Sequence, residues 1–250
     1  MQKVYINQVR REILKGGNNM SRISTGVKGL DKMLNGGLIP GRAYLIKGGP
    51  GTGKTTLCMH FLMEGVKNGE KVLYITLEEP IEILREDMRG LGFDIDSPLF
   101  VGIDATPVKE KRSFFEGMHY EEFAKGFTEL VRAIKERLEE DIFTRVVIDP
   151  ITMIRLTIKD ELDYRRTFIG FLKEIAKYNV TLLMTSEIYG IDIEDYLVSG
   201  VIELRTFEVG GKTVRGVRVL KLRGSNFDET TRPYKITDQG LEVYSEENIF

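Results

Sequence analysis

The chain has 250 residues with 36 basic and 38 acidic side chains, a formal net charge of −2. At 42% hydrophobic and 30% charged it has the composition of a globular α/β protein and excludes a disordered chain. Its apolar runs fall short of the roughly 18 residues a membrane span needs, and the N-terminus lacks an apolar stretch of signal-peptide length, so a cytoplasmic protein is expected. The single cysteine, Cys58, excludes an intramolecular disulfide and a multi-cysteine metal site.

Residues 1–19 differ in character from the rest of the chain. Val4, Tyr5, Ile6, Val9, Ile13 and Leu14 could form a short amphipathic segment ending at Gly16-Gly17. A second reading is that Lys15-Gly16-Gly17-Asn18-Asn19-Met20 translates a purine-rich ribosome-binding sequence, AAAGGAGGTAATAATATG, so that the native protein starts at Met20. Residues 20–250 then form one domain. Within it, Val27, Leu30, Met33 and Leu34 space a short helix stopped by Gly36-Gly37. Residues 42–47 read as a buried strand, and a helix from Thr55 to Lys67 comes after a glycine-rich turn, with Cys58, Met59 and Met63 as core. A strand at Lys71–Leu77 and a helix at Ile81–Arg89 come next, and 100–118 are expected to be irregular. A long helix carries Phe123, Phe127, Leu130, Ile134 and Leu138 along one stripe. Then come a strand at Arg145–Asp149, a helix near Asp163–Tyr178 and a strand at Val180–Thr185. Shorter strands at 201–207, 214–222, 234–237 and 241–244 close the chain, the first two joined at Gly210-Gly211. Alternating strands and helices predict a mostly parallel sheet with helices on both faces, extended by antiparallel C-terminal strands.

Gly48-Gly49-Pro50-Gly51-Thr52-Gly53-Lys54-Thr55 fits G-x-x-x-x-G-K-[ST] between an apolar strand and an apolar helix. Without Cβ atoms in the way, consecutive N–H groups can turn inward around phosphate oxygens at a helix N-terminus. Gly49, Pro50, Gly51, Thr52, Gly53, Lys54, Thr55 and Thr56 are therefore candidate ATP contacts. Lys54 can reach the outer phosphates, and the Thr55 hydroxyl can ligate magnesium. Val146-Val147-Ile148-Asp149 ends a buried strand in a carboxylate suited to hold Mg²⁺. Leu77-Glu78-Glu79-Pro80 places two more at a strand's C-terminal end, where ligands of open α/β sheets bind. Glu78 is the candidate to orient the attacking water, and also a metal-site candidate, with Glu79 beside it. Helix capping is the competing role for both. His60 and His119 are expected to be structural or exposed.

From Ser24 to about Tyr244 the chain resembles the RecA-like P-loop NTPases, and among them single-domain relatives of the circadian-clock ATPase KaiC. The resemblance rests on Thr25-Gly26-Val27-Lys28-Gly29-Leu30-Asp31, Gly36-Gly37-Leu38-Ile39-Pro40-Gly41-Arg42, Thr76-Leu77-Glu78-Glu79, Lys221-Leu222-Arg223-Gly224-Ser225, Pro233 and Ile236-Thr237-Asp238-Gln239-Gly240. It implies a homo-oligomeric ring, usually hexameric, hydrolysing ATP between subunits. Lys221 and Arg223 match the positions that reach a neighbour's γ-phosphate, with Ser225 also near the nucleotide. The period-2 spacing puts both cations on one strand face. Clock members carry a second domain and a phosphorylated tail, so neither clock function nor autophosphorylation is expected. Val198-Ser199-Gly200 stands where relatives often have Ala-Asp-Gly, which puts a role for an acidic residue there in doubt.

Two alternatives compete with a regulatory ATPase ring working on a protein partner. One is a recombinase-like DNA-binding ATPase. Its candidate loops would be Ile151–Arg166, of mixed charge, and Glu187–Val198, which contains Glu187, Asp192, Glu194 and Asp195 but no Lys or Arg and would repel phosphates. Lys109-Glu110-Lys111-Arg112 with Phe114, Phe115 and Tyr120 is the one basic-aromatic patch, and a solvated loop is its simpler reading. The other alternative is a slow, nucleotide-gated scaffold. For the N-terminus, intact-mass measurement of protein from its native source is expected to give a chain starting at Met20; a mass starting at Met1 overturns that reading.

Overall fold

The computed structural model describes residues 22–106, 120–155, 158, 160–187 and 192–249, with the backbone alone for 120–126. The 1–19 segment, the Lys109–Phe115 patch with the Tyr120 side chain, His119 and residues 188–191 of the second candidate loop lie outside the described residues. The elements are α1 (Lys28–Met33), β1 (Ala43–Gly48), α2 (Lys54–Lys67), β2 (Val72–Thr76), α3 (Ile81–Gly90), β3 (Phe100–Asp104), α4 (Tyr120–Glu140) and β4 (Arg145–Asp149). They continue with α5 (Thr152–Arg155), α6 (Glu161–Ala176), β5 (Thr181–Ser186), α7 (Ile193–Leu197), β6 (Gly200–Val209), β7 (Lys212–Leu222), β8 (Arg232–Thr237) and β9 (Gly240–Val243).

One nine-stranded sheet has the order β3-β2-β4-β5-β1-β6-β7-β8-β9. β1 to β6 are mutually parallel and β7 to β9 antiparallel. β1, β2, β4 and β5 are buried along their length, apart from a half-buried Ala43, because helices cover both faces. On one face, α1, α2 and α3 bring Leu30, Met33, Leu57, Phe61, Leu84 and Met88 into the core. On the other, α4, α6 and α7 contribute Ile134, Leu138, Phe168, Phe171, Ile175 and Ile193. Cys58, Met59 and Met63 are core residues, as their helical spacing predicts.

Two expectations are corrected. Residues 100–104, expected to be irregular, form the edge strand β3, paired in parallel with β2 from Phe100 opposite Val72 to Asp104 opposite Thr76. Only Phe100 of this strand is buried, and Gly102 makes room for Ile81, so its local pattern is weak and pairing makes the strand. Among the C-terminal strands, β6 is parallel to β1, with Tyr44 opposite Gly200 and Gly48 opposite Leu204. The antiparallel extension therefore begins only at β7, and β6 and β7 are the longest strands. A register shift between Val201 and Ile202 leaves Leu220 as an extra residue on β7, 41% exposed.

Hydrogen bonds explain the residues around α1. Asp31 accepts from Ser24 Oγ at 2.6 Å, from Thr25 N at 2.8 Å and from Thr25 Oγ1 at 2.7 Å. Gly26 has φ +79°, and a Cβ there would lie 2.3 Å from the His60 carbonyl oxygen, so only glycine fits. At the start of β4, buried Arg145 donates to Glu70 at 2.8 Å, to the Ser24 carbonyl at 2.7 Å and to the Phe61 carbonyl at 2.8 Å. It thereby ties the N-terminal segment, α2 and the turn before β2 together. Burial alone would raise the Glu70 carboxyl, but hydrogen bonds from Arg145 and Thr144 outweigh it and hold it below its ordinary value.

His60, on α2, is structural, as expected. Its Nε2 accepts from Leu241 N at 2.8 Å and its ring meets Phe93 edge-on. Burial, aided by Lys67, lowers its pKa from 6.5 to about 4, because the fold holds the neutral, accepting ring. This contribution to stability is therefore complete above about pH 6.5 and is lost as pH falls from there through 4. Between pH 7 and pH 4 the protein should lose about 3 kcal/mol more unfolding free energy than His60→Gln, which keeps an acceptor but does not titrate. Denaturant unfolding of both proteins at the two pH values checks this, and parallel losses would refute it.

Candidate nucleotide site at the carboxyl edge of the sheet

The loop Gly48–Lys54 joins β1 to α2, and its shape depends on glycine where backbone or side chains close in. A Cβ on Gly48 would lie 2.6 Å from both the Leu204 carbonyl oxygen and Thr52 Oγ1. Gly53, the N-cap of α2, has φ +87°, and a Cβ there would lie 2.8 Å from Ile236. Thr52 Oγ1 donates to the Gly49 carbonyl at 2.7 Å, and the buried Tyr234 hydroxyl donates to the Thr52 carbonyl at 2.6 Å. β8 thus braces the loop from the C-terminal extension. Pro50 and Gly51 stand exposed at the mouth, and Thr56 is buried in the first turn of α2.

An open cleft of about 340 Å³ lies over this loop. Lys54, Thr55, Glu78, Glu79 and Asp149 line it, as the sequence suggests, together with Glu187 just beyond β5. Lys54 is buried, and its Nζ donates to the Gly49 carbonyl at 3.1 Å and to Glu187 at 3.4 Å. Three hydroxyls converge on Asp149. Thr55 donates to Oδ2 at 2.7 Å, Tyr74 donates to the same oxygen at 2.9 Å, and Thr185 donates to Oδ1. The Asp149-Pro150 peptide is cis. The end of β2 is tied to β4 by Leu77 N donating to the Asp149 carbonyl at 2.9 Å. Thr76 Oγ1 donates to the Glu79 carbonyl at 2.6 Å, which fixes the turn presenting Glu78.

Carboxylates outnumber cations here. Burial raises the Glu78 carboxyl above its ordinary value, with Glu187 and Asp149 adding to the effect and Lys54 opposing it. Glu79 is likewise raised by burial and by Asp87, Asp149 and Glu78. Such a site can take a polyphosphate only with a counter-cation, and Thr55 with Asp149 offers the hard oxygen donors that magnesium prefers. Among the described residues no group of three or more His, Cys, Asp or Glu forms a metal site.

Glu187 and Tyr74 are site residues that sequence reasoning missed. Glu187 comes just after a buried strand, as Glu78 does, so the strand-end rule that picks out Asp149 could have found it. Tyr74 lies inside an apolar strand, where no local signal separates it from core.

Lys221, Arg223 and Ser225 are not brought to the phosphate loop of their own chain. β7 runs away from it: Val217 is level with Leu204 and Gly48, whereas Leu222 is level with Gly200 and Tyr44. Lys221 Nζ donates to the Asp195 carbonyl and Arg223 to the Tyr196 carbonyl, each at 2.5 Å. Both cations thus lie over α7, in accord with the expected common face. Ser225 Oγ accepts from Arg22 at 2.5 Å. In the acidic segment after β5, Asp192 pairs with Arg155 at 3.3 Å, Glu194 accepts from Tyr164, and Asp195 pairs with Lys47 at 2.7 Å. Among the described residues no helix is long and apolar enough to cross a membrane.

Comparison with known proteins agrees with this architecture. The family model for the KaiC ATPase matches residues 23–248. A UPF0273 protein of Methanopyrus kandleri is 30% identical over 235 residues, covering 90% of this chain and 92% of the relative. A UPF0273 protein of Thermotoga maritima is 31% identical over 240 residues, covering 91% and 98%. The circadian clock protein KaiC3 of Synechocystis is 28% identical over 233 residues, and there the match covers 89% of this chain but 45% of the relative. With its RecA-like α/β fold and its phosphate loop, this chain belongs to the KaiC family of ATPases.

Proposed function

We propose that the protein binds ATP with magnesium and hydrolyses it between subunits of a ring, as a regulatory ATPase acting on a protein partner. The observation that carries this reading is the separation of two half-sites. Lys54, Thr55, Glu78 and Asp149 meet at the carboxyl edge of the sheet, while Lys221 and Arg223 lie towards the other end of the strands. A head-to-tail neighbour can bring the second set to the first, and such heterologous contacts form a ring when their rotation closes.

In this reading the loop N–H groups from Gly49 to Thr55, with the N-terminus of α2, hold the phosphate oxygens. Lys54 exchanges its bonds to Gly49 and Glu187 for the outer phosphates. Thr56 contacts the nucleotide from the first turn of α2. Thr55 and Asp149 would hold magnesium, which would offset phosphate charge when bound. Tyr74 and Thr185 keep the Asp149 carboxylate oriented. Glu78 orients the attacking water and takes up its proton, with Glu79 supporting it, and the raised affinity of the Glu78 carboxyl for protons suits a base. Lys221 and Arg223 of the adjoining copy stabilise charge on the transferred phosphoryl group, with Ser225 near the nucleotide.

A hexamer is the expected assembly. Light-scattering mass with and without Mg·ATP, read with phosphate release on the same samples, should show turnover only in the assembled ring. A monomer with full turnover overturns the shared site. Arg223→Ala should keep nucleotide binding while turnover falls on the order of 10²- to 10³-fold; unchanged turnover overturns its action in trans.

A further inference from the structure

We propose that Asp195 is a positioning residue: paired with Lys47 on β1, it holds α7 so that the helix's terminal carbonyls fix Lys221 and Arg223 for the neighbouring site. This inference rests on the reading that those two cations act across the subunit boundary.

Helix α7 spans five residues, too few to be stable alone, so what holds it must come from outside. At its N-terminus Asp192 and Asp195 form a capping box, with Asp192 N donating to Asp195 Oδ2 at 2.8 Å. The same oxygen accepts from Lys47 Nζ at 2.7 Å. Lys47 is 1% exposed and stands one residue before the phosphate loop begins, so its ammonium needs a carboxylate within reach. On another side Glu194, also buried, accepts from the Tyr164 hydroxyl of α6. The helix is therefore anchored both to the strand that carries the phosphate loop and to α6.

Its C-terminal end does the positioning. Val198 N returns to the Glu194 carbonyl, but the Asp195 and Tyr196 carbonyls lie past the last intrahelical bond. Lys221 and Arg223 bond to these two, which also sets cations against the negative end of the helix. Each of these bonds uses one donor, leaving two on the ammonium and four on the guanidinium to face a neighbour's phosphate. A backbone link reinforces the arrangement, since Arg223 N donates to the Ser199 carbonyl at 2.7 Å and Ser199 N to the Ala43 carbonyl at 2.8 Å. Asp195 thereby joins β1, through its carboxylate, to the cation-bearing strand end, through its carbonyl.

The test is the paired variant Lys47→Met/Asp195→Asn, which removes both charges yet keeps an oxygen for Asp192 N. Full-length protein should retain its melting temperature and nucleotide affinity, while kcat falls about tenfold at unchanged KM, as a small misplacement of a reacting group does. In an Arg223→Ala background the same pair should cause no further loss, because the positioned group is already gone. Residual turnover there can be followed with radiolabelled ATP. Wild-type kcat in the paired variant overturns the inference. So does a tenfold loss that repeats in the Arg223→Ala background, which would place the effect on the chain's own phosphate loop. If the paired variant does not fold, Asp195→Glu, which keeps the charge opposite Lys47 but lengthens the link, is put through the same comparison. Arg223→Ala by itself separates the two ideas, since full turnover there overturns the trans-acting reading rather than the role of Asp195 alone.

Discussion

The site depends on one constraint, the parallel direction of β1, β2, β4 and β5. Because these strands run the same way, their carboxyl ends emerge along one edge, and the residues just beyond them meet in one cleft. The phosphate loop comes after β1, Glu78 and Glu79 after β2, Asp149 ends β4 and Glu187 comes after β5. Helices on both faces seal the sheet, and their buried apolar surface supplies the driving force that holds a strongly acidic cleft in place.

Polar groups inside the fold are joined into specific networks. Arg145 locks three segments through Glu70 and two backbone carbonyls, Asp149 is gripped by three hydroxyls, and Lys47 is matched by Asp195. Removing one partner from such a pair costs about 3–5 kcal/mol, because the remaining charge is buried and unmatched. The energetic return over an apolar core is small, but the networks set direction, and direction is what a phosphate site needs. The C-terminal extension takes part as well, since Tyr234 holds the Thr52 carbonyl and Ile236 packs against Gly53. The strands that carry Lys221 and Arg223 and the strands that brace the phosphate loop are thus one continuous antiparallel unit.

The acidic segment after β5 looks different in three dimensions. Read as a string, Glu187, Asp192, Glu194 and Asp195 form a patch that would repel nucleic acid. In the fold Asp192, Glu194 and Asp195 turn inward, to Arg155, Tyr164 and Lys47, while the exposed Glu187 reaches Lys54. Their charge serves internal pairing, so the segment ties the phosphate loop to the helices beside it.

Much of this was legible in the chain alone, because the signals were local. The phosphate loop needs glycines at fixed spacing, a buried strand reads as an apolar run such as Val146-Val147-Ile148, and a carboxylate at a strand end is visible beside it. The helices α2, α4 and α6 were readable from their apolar spacing, and with them the core roles of Cys58, Met59 and Met63. What sequence could not supply was pairing at a distance. β3 is a strand because β2 lies beside it, and β6 is parallel because β1 receives it; neither preference is written in residues 100–104 or 200–209. Tyr74 and Asp195 likewise gain their roles only when Asp149 and Lys47 are brought to them across the sheet. Local geometry is set by neighbouring residues, whereas register and buried ion pairing are decided by contacts between segments far apart in the chain, and only the folded structure holds those.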